Sequence, residues 1–167
     1  VLAAVGISYY MGVPVDTIRD VATSFKAVAH RIEYVDTIDG VSYYNDSKGT
    51  NPDAAIQGIR AMNRPTLLIG GGYDKQSEYD EWIEAFDGKV KELVLIGQTA
   101  DKIEECAHRH GFMNTVKKDT FEEAVSYCYE HAASGDAVLL SPACASWGQF
   151  DNYEQRGERF KEYVRAL

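Results

Sequence analysis

The run Asn45-Asp46-Ser47-Lys48-Gly49-Thr50-Asn51-Pro52 sets an acid, two hydroxyls and an ammonium side by side, between an apolar stretch and a helix start. Asn51 suits an N-cap and Pro52 the first helical position. The free N–H groups of that helix then point back toward Lys48 and Thr50. An ammonium, a hydroxyl and a helix N-terminus together favour a carboxylate or a phosphate. Gly49 would let the backbone approach such a ligand closely. The same residues also allow a plainer arrangement, in which Asp46 and Lys48 pair and Thr50 merely assists the cap. Residue types alone leave both open.

Further polar segments follow other apolar runs. Gly70-Gly71-Gly72 leads to Lys75, but the order is not G-x-x-x-x-G-K-[ST], which excludes a Walker A phosphate loop. A tight turn with a solvated lysine is the simpler expectation there. Ser141-Pro142-Ala143-Cys144-Ala145-Ser146 leads into the last helical stretch, with Ser146 as its expected cap. No histidine is near Cys144 in sequence, so a buried structural thiol is expected rather than a nucleophile. His108 and His110 are two apart on a helical stretch and do not share a face, so no metal site is expected. His131 reads as a surface residue, Trp82 as core, and Asp80-Glu81, Glu104-Glu105 and Glu122-Glu123 as solvated helix faces.

The elements that must position these residues follow from periodicity. Residues 31–38 and 41–44 are β-branched and aromatic, joined by Asp39-Gly40, a hairpin-type turn. Residues 66–69, 93–96 and 137–140 are short apolar runs, as in strands buried on both faces. Helices are predicted over 52–62, 78–86, 100–110 and 121–133, and from about 148 onward with Phe150, Tyr153, Phe160, Val164 and Leu167 inward; 115–117 reads as a short extra strand. This alternation predicts an α/β fold: a Rossmann-like, mainly parallel sheet with one antiparallel hairpin partner, flanked by helices. In such sheets ligands bind beyond the carboxyl ends of the strands. The segments after residues 44, 69, 96 and 140 are all polar or small, so they should converge on one edge.

Before the sheet, Leu2, Val5 and Tyr9 share a helical face, Gly12-Val13-Pro14 breaks it, and Val15, Ile18, Val21, Ala22 and Phe25 resume it. The opening Val-Leu-Ala-Ala-Val-Gly-Ile reads as mid-helix, which suggests a piece of a longer protein. The expected division is residues 1–29, the terminal helices of a preceding domain, and residues 30–167, the sheet domain.

Composition narrows the partners. A net charge of −9 argues against nucleic acid or an anionic membrane as the main partner. No apolar run approaches the roughly 20 residues that span a bilayer. The three cysteines are odd in number and widely spaced, which fits a reducing, cytoplasmic setting better than a disulfide framework.

Two segments go beyond composition. Asp46-Ser47-Lys48-Gly49-Thr50-Asn51 resembles the D-S-K-[AG]-T-N motif of the Mur ligase family. Ser141-Pro142-Ala143-Cys144-Ala145-Ser146, with Phe150, Tyr153-Glu154 and Arg156-Gly157, resembles that family's S-P-A-C-A-S…F-x-x-[FY]-E-x-R-G signature. His30-Arg31 and the glycine-rich loop ending in Lys75 also fit. Asp-Ser-Lys favours the D-glutamate-adding branch over those carrying D-Y-A-H or D-S-Y-N-A-N motifs; Gly49 stands where alanine is commoner. The resemblance implies the C-terminal domain of an ATP-dependent amide ligase of peptidoglycan precursor synthesis. ATP phosphorylates the carboxylate of UDP-N-acetylmuramoyl-L-alanine, and the amine of D-glutamate attacks the acyl phosphate. It implies D-glutamate contacts from Lys48, Thr50, Lys75, Ser146, Trp147 and Tyr153, and nucleotide contacts from Arg31 and Asp46. The catalytic residues, ATP and Mg2+ would belong to the full-length enzyme with its N-terminal and central domains, leaving this chain alone inert. Another Mur or folylpolyglutamate-type ligase, or a non-catalytic nucleotide- or amino-acid-binding module, is the alternative.

Overall fold

The structure is a computed structural model describing residues 2–25 and 28–167. Val1, at the head of the expected first helix, and residues 26–27, just before the expected boundary at 29/30, lie outside the described residues. In chain order the elements are α1 (Leu2–Tyr10), α2 (Val15–Ser24), β1 (Glu33–Ile38), β2 (Val41–Asn45), α3 (Pro52–Ala61), β3 (Thr66–Gly71), α4 (Asp80–Glu84), β4 (Val90–Ile96), α5 (Ala100–Arg109), β5 (Thr115–Lys117), α6 (Phe121–His131), β6 (Ala137–Leu140) and α7 (Tyr153–Ala166). One six-stranded sheet runs in the order β1-β2-β6-β3-β4-β5. Only β1 and β2 pair antiparallel; every other neighbouring pair is parallel. This is the expected α/β architecture, hairpin included: Asp39 and Gly40 both take positive φ (51° and 82°), as a type I′ turn requires.

The two faces of the sheet follow strand alternation. Leu68, Leu93, Leu95 and Leu139 face α3, α4 and α5, with Trp82, Ile83 and Phe86 among them. Leu67, Ile69, Val94, Ile96, Val138 and Leu140 face α6 and α7, against Phe121, Val125, Phe160 and Val164. The central strands β3 and β6 are buried along their whole length, which is why they read as unbroken apolar runs. Thr120 and Glu123 start α6 with a reciprocal capping box.

Several boundaries differ from expectation by a few residues, and three of the differences bear on the site. The first strand begins at Glu33, not residue 31, because His30 and Ile32 take positive φ (62° and 48°) and bend the chain into the sheet. The predicted 78–86 helix shrinks to the single turn of α4. The last helix starts at Tyr153, not near 148, and its cap is Asn152, whose side chain accepts from Gln155 N at 2.7 Å. Ser146 is therefore not the cap. Phe150, counted as part of that helix, packs edge-on against Phe121 from the preceding loop, so apolar spacing ran ahead of the helix. Helices α1 and α2 pack on each other, Val5, Ile18, Val21 and Phe25 line an open groove beside them, and neither helix buries a residue.

Candidate functional site

The strand order brings the loop after β6 between those after β2 and β3. Its residues 141–146 are all buried, and its neighbours pin it from both sides. On the β2 side, Ser141 Oγ donates to Asp46 Oδ2 at 2.7 Å. On the β3 side, Gly71 N donates to Pro142 O (2.8 Å) and Tyr73 N to Ala145 O (2.9 Å). The loop after β4 joins through Thr99, whose hydroxyl accepts from Gly72 N at 3.0 Å and lies 3.3 Å from Cys144 Sγ. The four polar segments thus do converge on one edge. Cys144 is enclosed, with Tyr79 Oη at 3.1 Å, and burial pushes its thiol pKa up. It is a packing residue, as its sequence context suggested.

Asp46 lies deep in this arrangement. It is 3% exposed, and its carboxylate takes the Ile32 N–H (3.2 Å) as well as the Ser141 hydroxyl. Burial pushes its pKa up to about 6, against the opposing pull of Ser141, the Ile32 N–H and the Arg31 charge. The room around it is set by glycines: a Cβ on Gly58 or Gly49 would stand 2.8 Å from Asp46 Oδ2. Arg31, beside it, is exposed.

The plainer reading of the first loop, an Asp46–Lys48 pair, is not what forms. Lys48 Nζ instead lies over the Tyr153 ring, 5.3 Å from its centroid. Asn51 does cap α3, accepting from Ala54 N at 2.9 Å, and half-buried Thr50 sits at that helix start. Across the edge, Lys75 Nζ stands 5.5 Å from the Trp147 ring, which meets Tyr73 edge-on at 5.4 Å. Both separations are within cation–π reach. Neither lysine has a carboxylate ion pair among the described residues. Ser146 is buried beside exposed Trp147, and its carbonyl accepts from Phe150 N at 3.0 Å. Two cations, each on an aromatic ring, thus belong to the loops on either side of the β6 loop.

One residue of this edge was legible only as a letter in a motif. Arg156 on α7 is 1% exposed and faces no carboxylate. Its guanidinium donates to Ser47 Oγ and Ser47 O (each 2.9 Å) and twice to Cys144 O (3.1 Å). Ser47 Oγ in turn donates a hydrogen bond to Tyr153 O at 2.8 Å. One side chain therefore ties the β2 loop, the β6 loop and the start of α7 together. Burial lowers its pKa to about 10, still well above neutrality. Asn45 extends the tie: its Nδ2 reaches Glu33 Oε2 (3.1 Å) and His30 Nδ1 (3.0 Å), while Lys161 pairs with Glu158 (2.7 Å) and Glu33 (3.4 Å).

An open α/β sheet with polar loops gathered beyond its parallel strands, and among them two lysines without a carboxylate partner in the described residues, is of the Rossmann-like class, in which ligands bind at that edge. The chain belongs to the Mur ligase family: the family model described as Mur ligase, glutamate ligase domain, matches residues 30–144. Over its whole length the chain is 62% identical to the UDP-N-acetylmuramoylalanine–D-glutamate ligase of Lachnoclostridium phytofermentans. It is 48% identical, over 99% of its length, to the enzyme of that name from Clostridioides difficile. It spans 37% of the length of each of these relatives. Among solved structures it resembles the UDP-N-acetylmuramate-alanine ligase of Thermotoga maritima (TM-score 0.68, 13% identity, covering 99% of this chain and 36% of that one). It also resembles E. coli FolC in complex with ADP (TM-score 0.63, 18% identity, 92% and 36%). At those identities the two structures speak to the fold.

Proposed function

We propose that this chain is the C-terminal domain of an ATP-dependent ligase that adds D-glutamate to UDP-N-acetylmuramoyl-L-alanine. The observation that carries the reading is the pair of unpaired lysines, Lys48 on Tyr153 and Lys75 on Trp147, flanking the buried β6 loop. D-glutamate presents two carboxylates and needs donors at two places. Charge-assisted hydrogen bonds are the stronger class for that task, and Thr50, Ser146 and the α3 N-terminus add neutral donors. The names of relatives 48–62% identical support the choice of amino acid.

In the proposed reaction the γ-phosphoryl group of ATP passes to the substrate carboxylate. The amine of D-glutamate then attacks the acyl carbon, the amide C–N bond forms, and inorganic phosphate leaves. This domain's share is to hold the amine against that carbon, mainly proximity catalysis. Arg31, exposed and beside the polar edge, suits an anionic group of the nucleotide. Asp46 in its present rotamer is enclosed; it reaches ribose hydroxyls only by exchanging the bond to Ile32 or to Ser141. ATP supplies the phosphoryl group and Mg2+ neutralises its charge, and both are assigned chiefly to the parts of the longer protein that precede this chain. Residues 1–29 are assigned to the end of the preceding domain, supported by the absence of any buried residue in α1 and α2. A cytoplasmic setting suits three buried free thiols; no described helix is long and apolar enough to cross a membrane.

The test uses the full-length enzyme. Lys75→Ala and Lys48→Ala each remove one charge-assisted contact, about 1.5–3 kcal/mol, so the KM for D-glutamate should rise roughly 10- to 100-fold. The KM for ATP should move far less in Lys75→Ala. An unchanged D-glutamate KM in both variants would refute the assignment. Substrate profiling against folate polyglutamates separates the folylpolyglutamate-type alternative.

A further inference from the structure

A second cluster of chemically active groups takes no part in the reading above. Asp80 opens α4, Cys106 lies on the last turn of α5, and His110 caps that helix one turn further on. The carboxylate oxygen, the thiol sulfur and a ring nitrogen all lie within 4.8 Å of one another. His110 Nε2 stands 2.8 Å from Asp80 Oδ1, and its other nitrogen, Nδ1, faces Glu84 Oε1 at 3.8 Å. Arg109 Nη2 also reaches Asp80 Oδ1, at 3.6 Å.

From this geometry we propose that Asp80, Cys106 and His110 form a three-ligand site for a borderline divalent cation of the zinc class, with water as the fourth ligand, clasping α4 to α5. The donor set is one sulfur, one nitrogen and one oxygen, which selects zinc-like ions over magnesium or calcium. Tetrahedral zinc has bonds of about 2.0–2.3 Å, so the donors must draw together by on the order of 1 Å. Asp80 and His110 sit near the surface and can rotate inward; Cys106 is buried and fixes the deep end. Glu84 Oε1, 3.8 Å from Nδ1, would have to close by roughly 1 Å to accept the Nδ1–H, the orienting contact that would fix Nε2 as the binding nitrogen. Cys106 gives up its proton on binding, and Arg109 swings off Asp80 toward solvent.

The clasp has a mechanical purpose. α4 is a single turn of five residues, too short to hold itself as a helix. A metal bridge to α5 would anchor it and, with it, Tyr79, whose hydroxyl touches Cys144 at the polar edge.

The test is a titration of the reduced, chelator-treated chain with Co2+, followed by Zn2+ competition. One equivalent of Co2+ should give a thiolate charge-transfer band and tetrahedral d–d bands, both removed by Zn2+. Zn2+ should also raise the Tm. Because Cys106→Ser alters the core, the decisive variants are Asp80→Asn and His110→Gln, each weakening Co2+ at least tenfold, with Glu84→Gln weakening it about tenfold. His108→Gln, whose ring bonds Thr115 instead, should leave affinity unchanged. Absence of the thiolate band at saturating Co2+ would overturn the proposal. So would a band whose affinity is the same in Asp80→Asn and His110→Gln as in the parent chain.

Discussion

Replacing Arg156 with methionine keeps most of the side-chain volume and removes the donors that join the two loops to α7. Two carbonyls, Ser47 O and Cys144 O, then lose the bonds described above inside a closed site. Each buried acceptor left bare costs about 1–3 kcal/mol, or about 2–6 kcal/mol for the pair. Against this, the variant no longer has to strip water from a guanidinium that has no carboxylate partner, a penalty that in folded proteins reaches several kcal/mol. The two effects oppose each other, and the bare carbonyls should win by about 2 kcal/mol because the loops cannot open to water without breaking the β6 contacts. Urea unfolding of the chain measures this directly: the midpoint should fall with the slope unchanged. Arg156→Lys should recover little, since one ammonium cannot serve Ser47 and Cys144 in the same fork. In the full-length enzyme, Arg156→Met should raise the D-glutamate KM through displaced Lys48 and Tyr153, while Lys48→Ala raises it without loss of stability. An unfolding free energy within about 0.5 kcal/mol of the parent's would refute the idea that this guanidinium holds the edge together.

Asp46 gives a pH signature. With its pKa raised to about 6 by burial, the folded chain keeps a proton that the unfolded chain has already released between pH about 4 and 6, so stability falls as pH rises through that window. Asp46→Asn can keep both bonds, Oδ1 accepting from Ile32 N and Nδ2 donating to Ser141 Oγ; it should exceed the parent by on the order of 2 kcal/mol near neutral pH and match it near pH 4, and a pH-independent difference would contradict the assignment. Gly58→Ala tests the close approach on the same carboxylate: helix propensity alone would favour it by about 1 kcal/mol, but the new Cβ meets both Asp46 Oδ2 and Ser141 Oγ at 2.8 Å, so thermal unfolding should show net destabilisation. The isolated chain should fold yet release no phosphate from ATP in a coupled phosphate assay; ATP-dependent release by this chain alone would undo the division of labour proposed for it.

Much of the fold was legible because buried parallel strands announce themselves. Residues 66–69 and 137–140 have no polar face to hide, and Asp39-Gly40 names its own turn. The helix over 78–86 was over-read for an opposite reason: Trp82, Ile83 and Phe86 carry helical spacing, but the chain arrives from the edge through Gly71, Gly72 and Gln76 in positive φ and has room for only one turn. Similarly, Phe150 belongs to the core without belonging to a helix. At the site, lysines and hydroxyls could be picked out from residue type, whereas the burial of Asp46 and the reach of Arg156 depend on loops about a hundred residues apart in sequence. His110 illustrates the same limit. Compared with His108 it looked ill-placed, because its partner lies 30 residues away on α4.

The position of β6 also has a consequence for how the chain is made. Of the six strands described it is the last to leave the ribosome, yet it pairs with β2 on one side and β3 on the other. Until residue 140 emerges, the nascent sheet is two separate leaves, the β1–β2 hairpin and the β3–β4–β5 ribbon, each with a raw apolar edge. Tyr153 and Arg156, on which the earlier loop leans, arrive later still. A chain stalled or cut before residue 137 would thus hold nearly every strand and neither a closed sheet nor a formed edge. Quality control on the ribosome would meet it as a sticky intermediate rather than a smaller domain.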